Sequence, residues 1–137
     1  MQPRLTFVTL VVRDLGASRA FYVEGLGWPT ELDVPDEVVM IRVGDRLILS
    51  LWSEESARDE LGAIARGDGA LPFTLAHNVA TETEVDEVIA DARTAGASIV
   101  AEPVAREWGG YSGYFADPDG FRWEVAYNAG PIGLSVL

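Results

Sequence analysis

Residues 117–125 read Asp117-Pro118-Asp119-Gly120-Phe121-Arg122-Trp123-Glu124-Val125, a tight turn that leads into a strand. Pro118 fixes its own φ angle, and Gly120 supplies the permissive backbone position that reverses the chain. Strand alternation then puts Glu124 on the face opposite Trp123 and Val125. A single carboxylate on the last strand of a small domain is either a metal ligand or an isolated acid in a cavity. The choice depends on the partners that the rest of the sequence offers.

The composition is that of one globular domain. The chain has 137 residues, of which 48% are hydrophobic, and no cysteine. This length suits one core, and the absence of cysteine excludes disulfides, thiolate metal sites and cysteine nucleophiles. No apolar run approaches the ~20 residues that span a bilayer, and the N-terminus lacks an export signal. The sequence therefore predicts a cytoplasmic protein.

The charge is strongly acidic, with 10 basic and 22 acidic residues and a net charge of −12. A nucleic-acid partner would need a basic stripe, and an anionic membrane surface would repel the chain, so neither partner is expected. An acidic body favours a cationic ligand, although solubility alone also accounts for such a charge.

The order of predicted elements repeats along the chain. The first part has strands at 5–12, 28–34, 37–43 and 46–52, with a helix capped by Asp14 and another from Ser53 to about residue 66. After a Gly-Asp-Gly linker, the second part has strands at 73–79, 97–103, 111–116 and 121–128, and a helix that opens with a capping box of Thr81 and Glu84. Glu54 and Glu55 are interpreted as solvated surface charge.

These segments predict an α+β fold of two βαβββ modules, with the sheets curved around a shared cavity. One domain covers residues 1–137. Module one spans about 5–66, a linker 67–72, module two about 73–128, and an irregular tail 129–137.

The chain resembles the vicinal oxygen chelate superfamily, which contains glyoxalase I, extradiol dioxygenases and bleomycin-resistance proteins. The opening sequence pattern of the superfamily is similar to Val11-Val12-Arg13-Asp14-Leu15 with Ser18, Phe21-Tyr22 and Leu26-Gly27-Trp28 of this chain. Its closing pattern is similar to Phe115-Ala116-Asp117-Pro118-Asp119-Gly120 with Glu124. The resemblance implies the paired-module fold and a homodimer, in which open sheet edges would be covered. It does not imply one activity, because one scaffold of this kind hosts many chemistries.

In metal-dependent members, the resemblance implies ligands on the first and last strand of each module. The corresponding residues are Phe7, Ile48 or Ser50, Thr74 and Glu124. A phenyl ring cannot ligate, threonine is a poor ligand, and only Glu124 suits a hard cation. We therefore predict no metal and no cofactor, with a divalent metal as the alternative.

The single histidine, His77, is expected on the face opposite Thr74, unless a bulge shifts the strand. Glu124 has two further interpretations, an ion pair with Arg122 or Arg46 and a general base without a cofactor.

The predicted ligand contacts are aromatic and hydroxyl side chains that alternation places with Glu124. Segment 107–114 adds aromatic rings beside glycines and is similar to the Trp-Gly segment of bleomycin-resistance proteins; on a regular strand, Tyr111 and Tyr114 cannot both face the cavity. The predicted ligand-binding residues are Phe7, Thr9, Ser50, Trp52, Thr74, Trp108, Tyr111 and Glu124.

The leading functional hypothesis is metal-independent binding of a small aromatic or cationic molecule, as in the branch of the superfamily that sequesters antibiotics. The alternative is a metal-dependent lyase, isomerase or dioxygenase. Whether the protein is an enzyme stays open at this point.

Overall fold

The computed structural model describes residues 1–137 as an α+β protein with two compact units, 1–66 and 67–137. The first unit contains β1 (Phe7–Val12), α1 (Leu15–Arg19), β2 (Thr30–Val34), β3 (Val38–Gly44), β4 (Leu47–Ser53) and α2 (Glu54–Leu61). The second contains β5 (Leu75–Val79), α3 (Glu82–Thr94), β6 (Ser98–Ala105), β7 (Tyr111–Ala116), β8 (Arg122–Tyr127) and α4 (Pro131–Leu134). No helix has the length and apolar character needed to cross a membrane.

Each unit has one mixed four-stranded sheet, and the strand order is the same in both. The first sheet is ordered β1-β4-β3-β2 and the second β5-β8-β7-β6. In each, the first and last strands pair in parallel, and the other neighbours are antiparallel. The predicted βαβββ repeat is confirmed at this level.

The core of the first unit lies between its sheet and the helix after β1. Leu10 and Val12 of β1 are buried together with Phe21 and Tyr22, whose rings meet edge to face at 4.9 Å. Asp14 caps α1 by accepting the Ala17 N–H at 2.8 Å, as predicted. The helix then continues as a π-helical turn, Ala20–Gly25, which the sequence pattern did not predict.

The core of the second unit lies between α3 and one face of its sheet. Val85, Ile89 and Ala92 of α3 are buried, as are the stacked rings of Phe115 and Trp123, 6.1 Å apart. The predicted capping box is present, with Thr81 Oγ1 accepting the Glu84 N–H and Glu84 accepting the Thr81 N–H.

Several predicted boundaries differ from the structure. The first strand begins at Phe7 and the fifth at Leu75, each two residues later than predicted. Helix α2 ends at Leu61 because Gly62, at φ 76°, closes it by donating to the Arg58 carbonyl. The segment predicted as an irregular tail contains α4, which Pro131 begins at a position where its missing N–H costs nothing.

Candidate functional site

The turn at residues 117–120 is held by a buried carboxylate. Asp117 Oδ1 accepts the N–H groups of Asp119 at 3.0 Å and Phe121 at 2.9 Å, and the Phe121 carbonyl accepts the Asp117 N–H. Gly120 lies at φ 94°, a backbone conformation that favours glycine. This turn fixes the β7–β8 register, in which Tyr114 lies opposite Glu124.

Glu124 forms a hydrogen bond with that tyrosine. The Tyr114 hydroxyl donates to Glu124 Oε1 at 2.6 Å, and this bond is the main reason that the pKa of Tyr114 is raised above 10.0. Desolvation and the negative charge of Glu124 raise the Tyr114 pKa further, while Arg106 opposes them. Within the second unit, Glu124 bonds this phenol and not Arg122, whereas the suggested ion pair with Arg46 stays a prediction.

Arg106 completes this cluster. Its guanidinium lies 5.6 Å from the centre of the Tyr114 ring, and it donates to Ser112 Oγ at 2.9 Å and to the Ser112 carbonyl at 3.0 Å. Ser112 is fully buried, so the arginine is anchored on a rigid strand. We call the sheet face that carries Ser112, Tyr114 and Glu124 the Glu124 face.

Two other predicted residues of this unit are placed differently. The Thr74 hydroxyl is hydrogen-bonded to the Arg122 carbonyl at 3.0 Å and to the Leu75 carbonyl at 3.1 Å. Tyr111 lies on the helix-covered face, where its hydroxyl donates to Asp86 of α3 at 2.9 Å and its pKa is raised mainly by that bond. Tyr111 therefore does not share a face with Glu124, and its contact with a ligand stays a prediction.

Trp108 lies in the turn between β6 and β7 and is 53% exposed. A Cβ atom added to Gly110 would lie 1.7 Å from the Trp108 ring, so the indole packs directly over the glycine backbone. The Arg106 N–H donates to the Gly110 carbonyl and closes the turn. The Trp108 ring is thus half exposed to solvent and packs against the Gly110 backbone.

His77 lies outside the Glu124 face. It pairs with Val125 in a β5–β8 ladder that has no register shift, and its strand neighbour Ala76 pairs with Glu124. Burial of part of its ring lowers the His77 pKa below 6.5. The bulge that would turn His77 toward Glu124 is therefore not present.

Four predicted ligand residues come together in the first unit. Phe7, Thr9, Ser50 and Trp52 share the sheet face opposite the core, which we call the Trp52 face, and line a groove of about 280 Å³. Phe7 is 49% exposed there. The remaining lining residues are Glu37, Val38 and Met40, which the sequence analysis missed. The β3–β4 hairpin could have indicated them, because it pairs Met40 with Ser50 and Val38 with Trp52.

A larger cavity of about 440 Å³ lies near the start of α1. Two of its charged groups are matched, because Arg19 donates to Asp33 at 2.7 Å and also pairs with Glu24. The third charged residue of the lining is Asp36, in the turn between β2 and β3.

The positions that the resemblance gives for metal ligands do not fit a metal. Phe7 has no donor atom, the Thr74 hydroxyl bonds backbone carbonyls, and Glu124 bonds Tyr114. The structure has no group of three or more His, Cys, Asp and Glu side chains that could hold a metal ion. Only one carboxylate of the implied set is present.

The structure thus has two repeated βαβββ units, a groove on the Trp52 face and no cluster of side chains that could hold a metal ion. The sequence model of the Glyoxalase/Bleomycin resistance protein/Dioxygenase superfamily matches residues 4–125. The chain belongs to this superfamily. A comparison with curated proteins finds no match.

Solved structures agree with this assignment. A glyoxalase-related enzyme from Fulvimarina pelagi is 34% identical with a TM-score of 0.82, covering 92% of this chain and 88% of that one. A glyoxalase/bleomycin resistance protein/dioxygenase from Nocardioides is 26% identical with a TM-score of 0.78, at coverages of 95% and 87%. Lactoylglutathione lyase from Agrobacterium tumefaciens is 24% identical with a TM-score of 0.70, at coverages of 92% and 94%, and this likeness shows the fold alone.

Proposed function

We propose that the protein binds a small aromatic molecule, preferably a cation, in the groove of the Trp52 face without using a metal ion. The observation that carries the proposal is the convergence of Phe7, Thr9, Ser50 and Trp52 on one groove. The predicted role is sequestration of the ligand. The homodimer and the cytoplasmic location predicted from the sequence stay predictions.

The chemistry of the groove matches this ligand class. Phe7, Trp52 and Met40 offer two rings and a thioether, and ring stacking contributes roughly 0.5–1.5 kcal/mol beyond the burial of area. Thr9 and Ser50 add hydroxyl groups that can orient a ligand. The carboxylate of Glu37 in the lining, together with the net charge of −12, favours a cation.

The metal-dependent alternative has less support. A lyase, isomerase or dioxygenase of this superfamily would require donors that Phe7 and Thr74 do not supply. The name of the Fulvimarina pelagi relative describes that protein as an enzyme and does not state a metal.

Calorimetric titration with two acridines of the same shape tests the proposal. Acridine is neutral at pH 8, whereas 10-methylacridinium is a permanent cation. We expect saturable binding of both, with the cation tighter. Trp52→Leu should weaken both about three- to ten-fold, because it removes a stacking surface. Glu37→Gln should reduce the preference for the cation.

The control is Leu61→Ala, which removes an exposed apolar side chain at the end of α2, outside the groove lining. Its affinities should equal those of the unaltered protein. Absence of saturable heat with both acridines, or equal affinities for Trp52→Leu and the unaltered protein, would refute the proposed groove.

A further inference from the structure

Arg106 is a part-buried cation without a carboxylate partner. Five other arginines form ion pairs with acidic side chains: Arg19, Arg42, Arg58, Arg66 and Arg93. Arg106 instead contacts only Ser112 and the Tyr114 ring. The guanidinium charge of Arg106 is thus balanced by no ion pair within the chain.

The guanidinium is also held in a fixed orientation. Nε and one terminal nitrogen both donate to Ser112, which is fully buried, and the Tyr114 ring supports one side of the plane. A guanidinium has five N–H donors in a rigid fork, so donors remain for a planar anion. Because the fork is already oriented, binding an anion there costs little additional ordering of the side chain.

A negative charge lies at the hydroxyl end of the same tyrosine. The Tyr114 hydroxyl donates to Glu124 Oε1, which leaves the carboxylate able to accept further hydrogen bonds. The cation of Arg106 thus lies over the Tyr114 ring, and the anion of Glu124 lies at the hydroxyl of the same side chain. Ligands with a single charge would meet one favourable and one unfavourable group here.

We propose that the Glu124 face binds a small zwitterionic molecule, with its anionic group on Arg106 and its amine on Glu124. Tyr114 separates the two contacts, so the ligand needs charges set apart by a short chain or a ring. This site lies in the second unit and does not rest on the groove of the Trp52 face.

NMR titration of the full-length protein tests the site with three matched probes. These are 6-aminohexanoate, hexanoate and hexylammonium, which carry both charges, only the anion and only the cation. We expect saturable shifts at the amides of Ser112, Tyr114 and Glu124. The zwitterion should bind about five-fold more tightly than either singly charged probe, as one additional ion pair predicts.

Two variants assign the contacts. Arg106→Gln should remove the binding of hexanoate, and Glu124→Gln should make 6-aminohexanoate bind no better than hexanoate. Arg93→Gln is the matched control, because Arg93 pairs with Glu102 in the same unit, and it should leave all affinities unchanged. The spectrum of each variant reports whether it is folded.

Three results would overturn the site. The first is the absence of saturable shifts at Ser112, Tyr114 and Glu124 with 6-aminohexanoate in the unaltered protein. The second is equal affinity for the three probes, and the third is unchanged binding in folded Arg106→Gln. None of them bears on the acridine groove, whose shifts would appear at Phe7 and Trp52.

Discussion

At the scale of single residues, the partner of a carboxylate decides its chemistry more than its place in the sequence does. Glu124 matches the closing pattern of the superfamily, yet its Oε1 accepts a hydrogen bond from Tyr114. A carboxylate bonded in this way holds the phenol in its protonated form. The bond therefore raises the pKa of Tyr114 and occupies one oxygen of Glu124.

Tyr114 should ionise above the ordinary phenol pKa of 10.0, mainly because its proton is held by Glu124. A pKa raised on folding contributes stability that is complete below 10.0 and is lost as pH rises through the higher folded value. The difference in absorbance at 295 nm between the unaltered protein and Tyr114→Phe, followed through an alkaline titration, isolates this group from the other tyrosines.

Glu124→Gln provides the control for this titration, since it removes the charge and preserves the shape. In that variant the Tyr114 pKa should move down toward 10.0. If Tyr114 of the folded, unaltered protein ionises at or below 10.0, the Tyr114–Glu124 bond does not exist in solution.

The sequence contains a signal for Tyr114 in the turn that precedes Glu124. The turn at 117–120 fixes the β7–β8 register, so the residue opposite Glu124 can be counted across the hairpin. The ion pair of Glu54 with Arg66 had no such local signal, because a loop separates them. Arg66 also donates to the Val11 carbonyl and lowers the Glu54 pKa, so interpreting Glu54 as solvated surface charge was wrong.

At the scale of elements, local chemistry determined which predictions were confirmed. Helix α3 combines the capping box with a buried apolar stripe, and both are visible in the sequence. The π-helical turn after α1 was not predicted, because hydrophobic spacing does not distinguish it from a continued α-helix. Helix α2 was predicted too long, because its apolar pattern continues past the stop at Gly62.

Replacing the cap residue of α3 should lower the stability of the protein. Thr81→Ala leaves the Glu84 N–H without its side-chain acceptor, which should reduce the free energy of unfolding by about 1 kcal/mol. Urea denaturation followed by circular dichroism measures this change.

Thr83→Ala is the matched control for the cap, since Thr83 is an exposed residue inside the same helix. It should leave stability unchanged or raise it slightly, because alanine has the higher helix propensity. Equal destabilisation by the two substitutions would show that the cap contributes nothing specific.

At the scale of the whole molecule, the two units repeat a backbone and vary the side chains on it. In the parallel ladder of the first sheet, Thr9 pairs with Ser50. In the corresponding ladder of the second sheet, Ala76 pairs with Glu124. In the β3–β4 ladder, Met40 lies opposite Ser50. In the β7–β8 ladder, Tyr114 lies opposite Glu124. The periodic pattern of apolar residues made the βαβββ repeat predictable. The chemistry of the Trp52 face and the Glu124 face could not be predicted in the same way, because it depends on which residues lie opposite each other in each ladder.

The donor inventory of the chain leads to the last prediction. There is no cysteine and one histidine, and His77 faces away from Glu124, so we expect no specific binding of divalent ions. Calorimetry of metal-free protein with Ni²⁺, Zn²⁺, Mn²⁺ and, without oxygen, Fe²⁺ tests this. Acidic side chains will bind ions weakly, so the diagnostic comparison is with Glu124→Ala. Saturable binding that this variant abolishes would restore the metal-dependent alternative, because Glu124 is the one residue present that the resemblance places as a ligand.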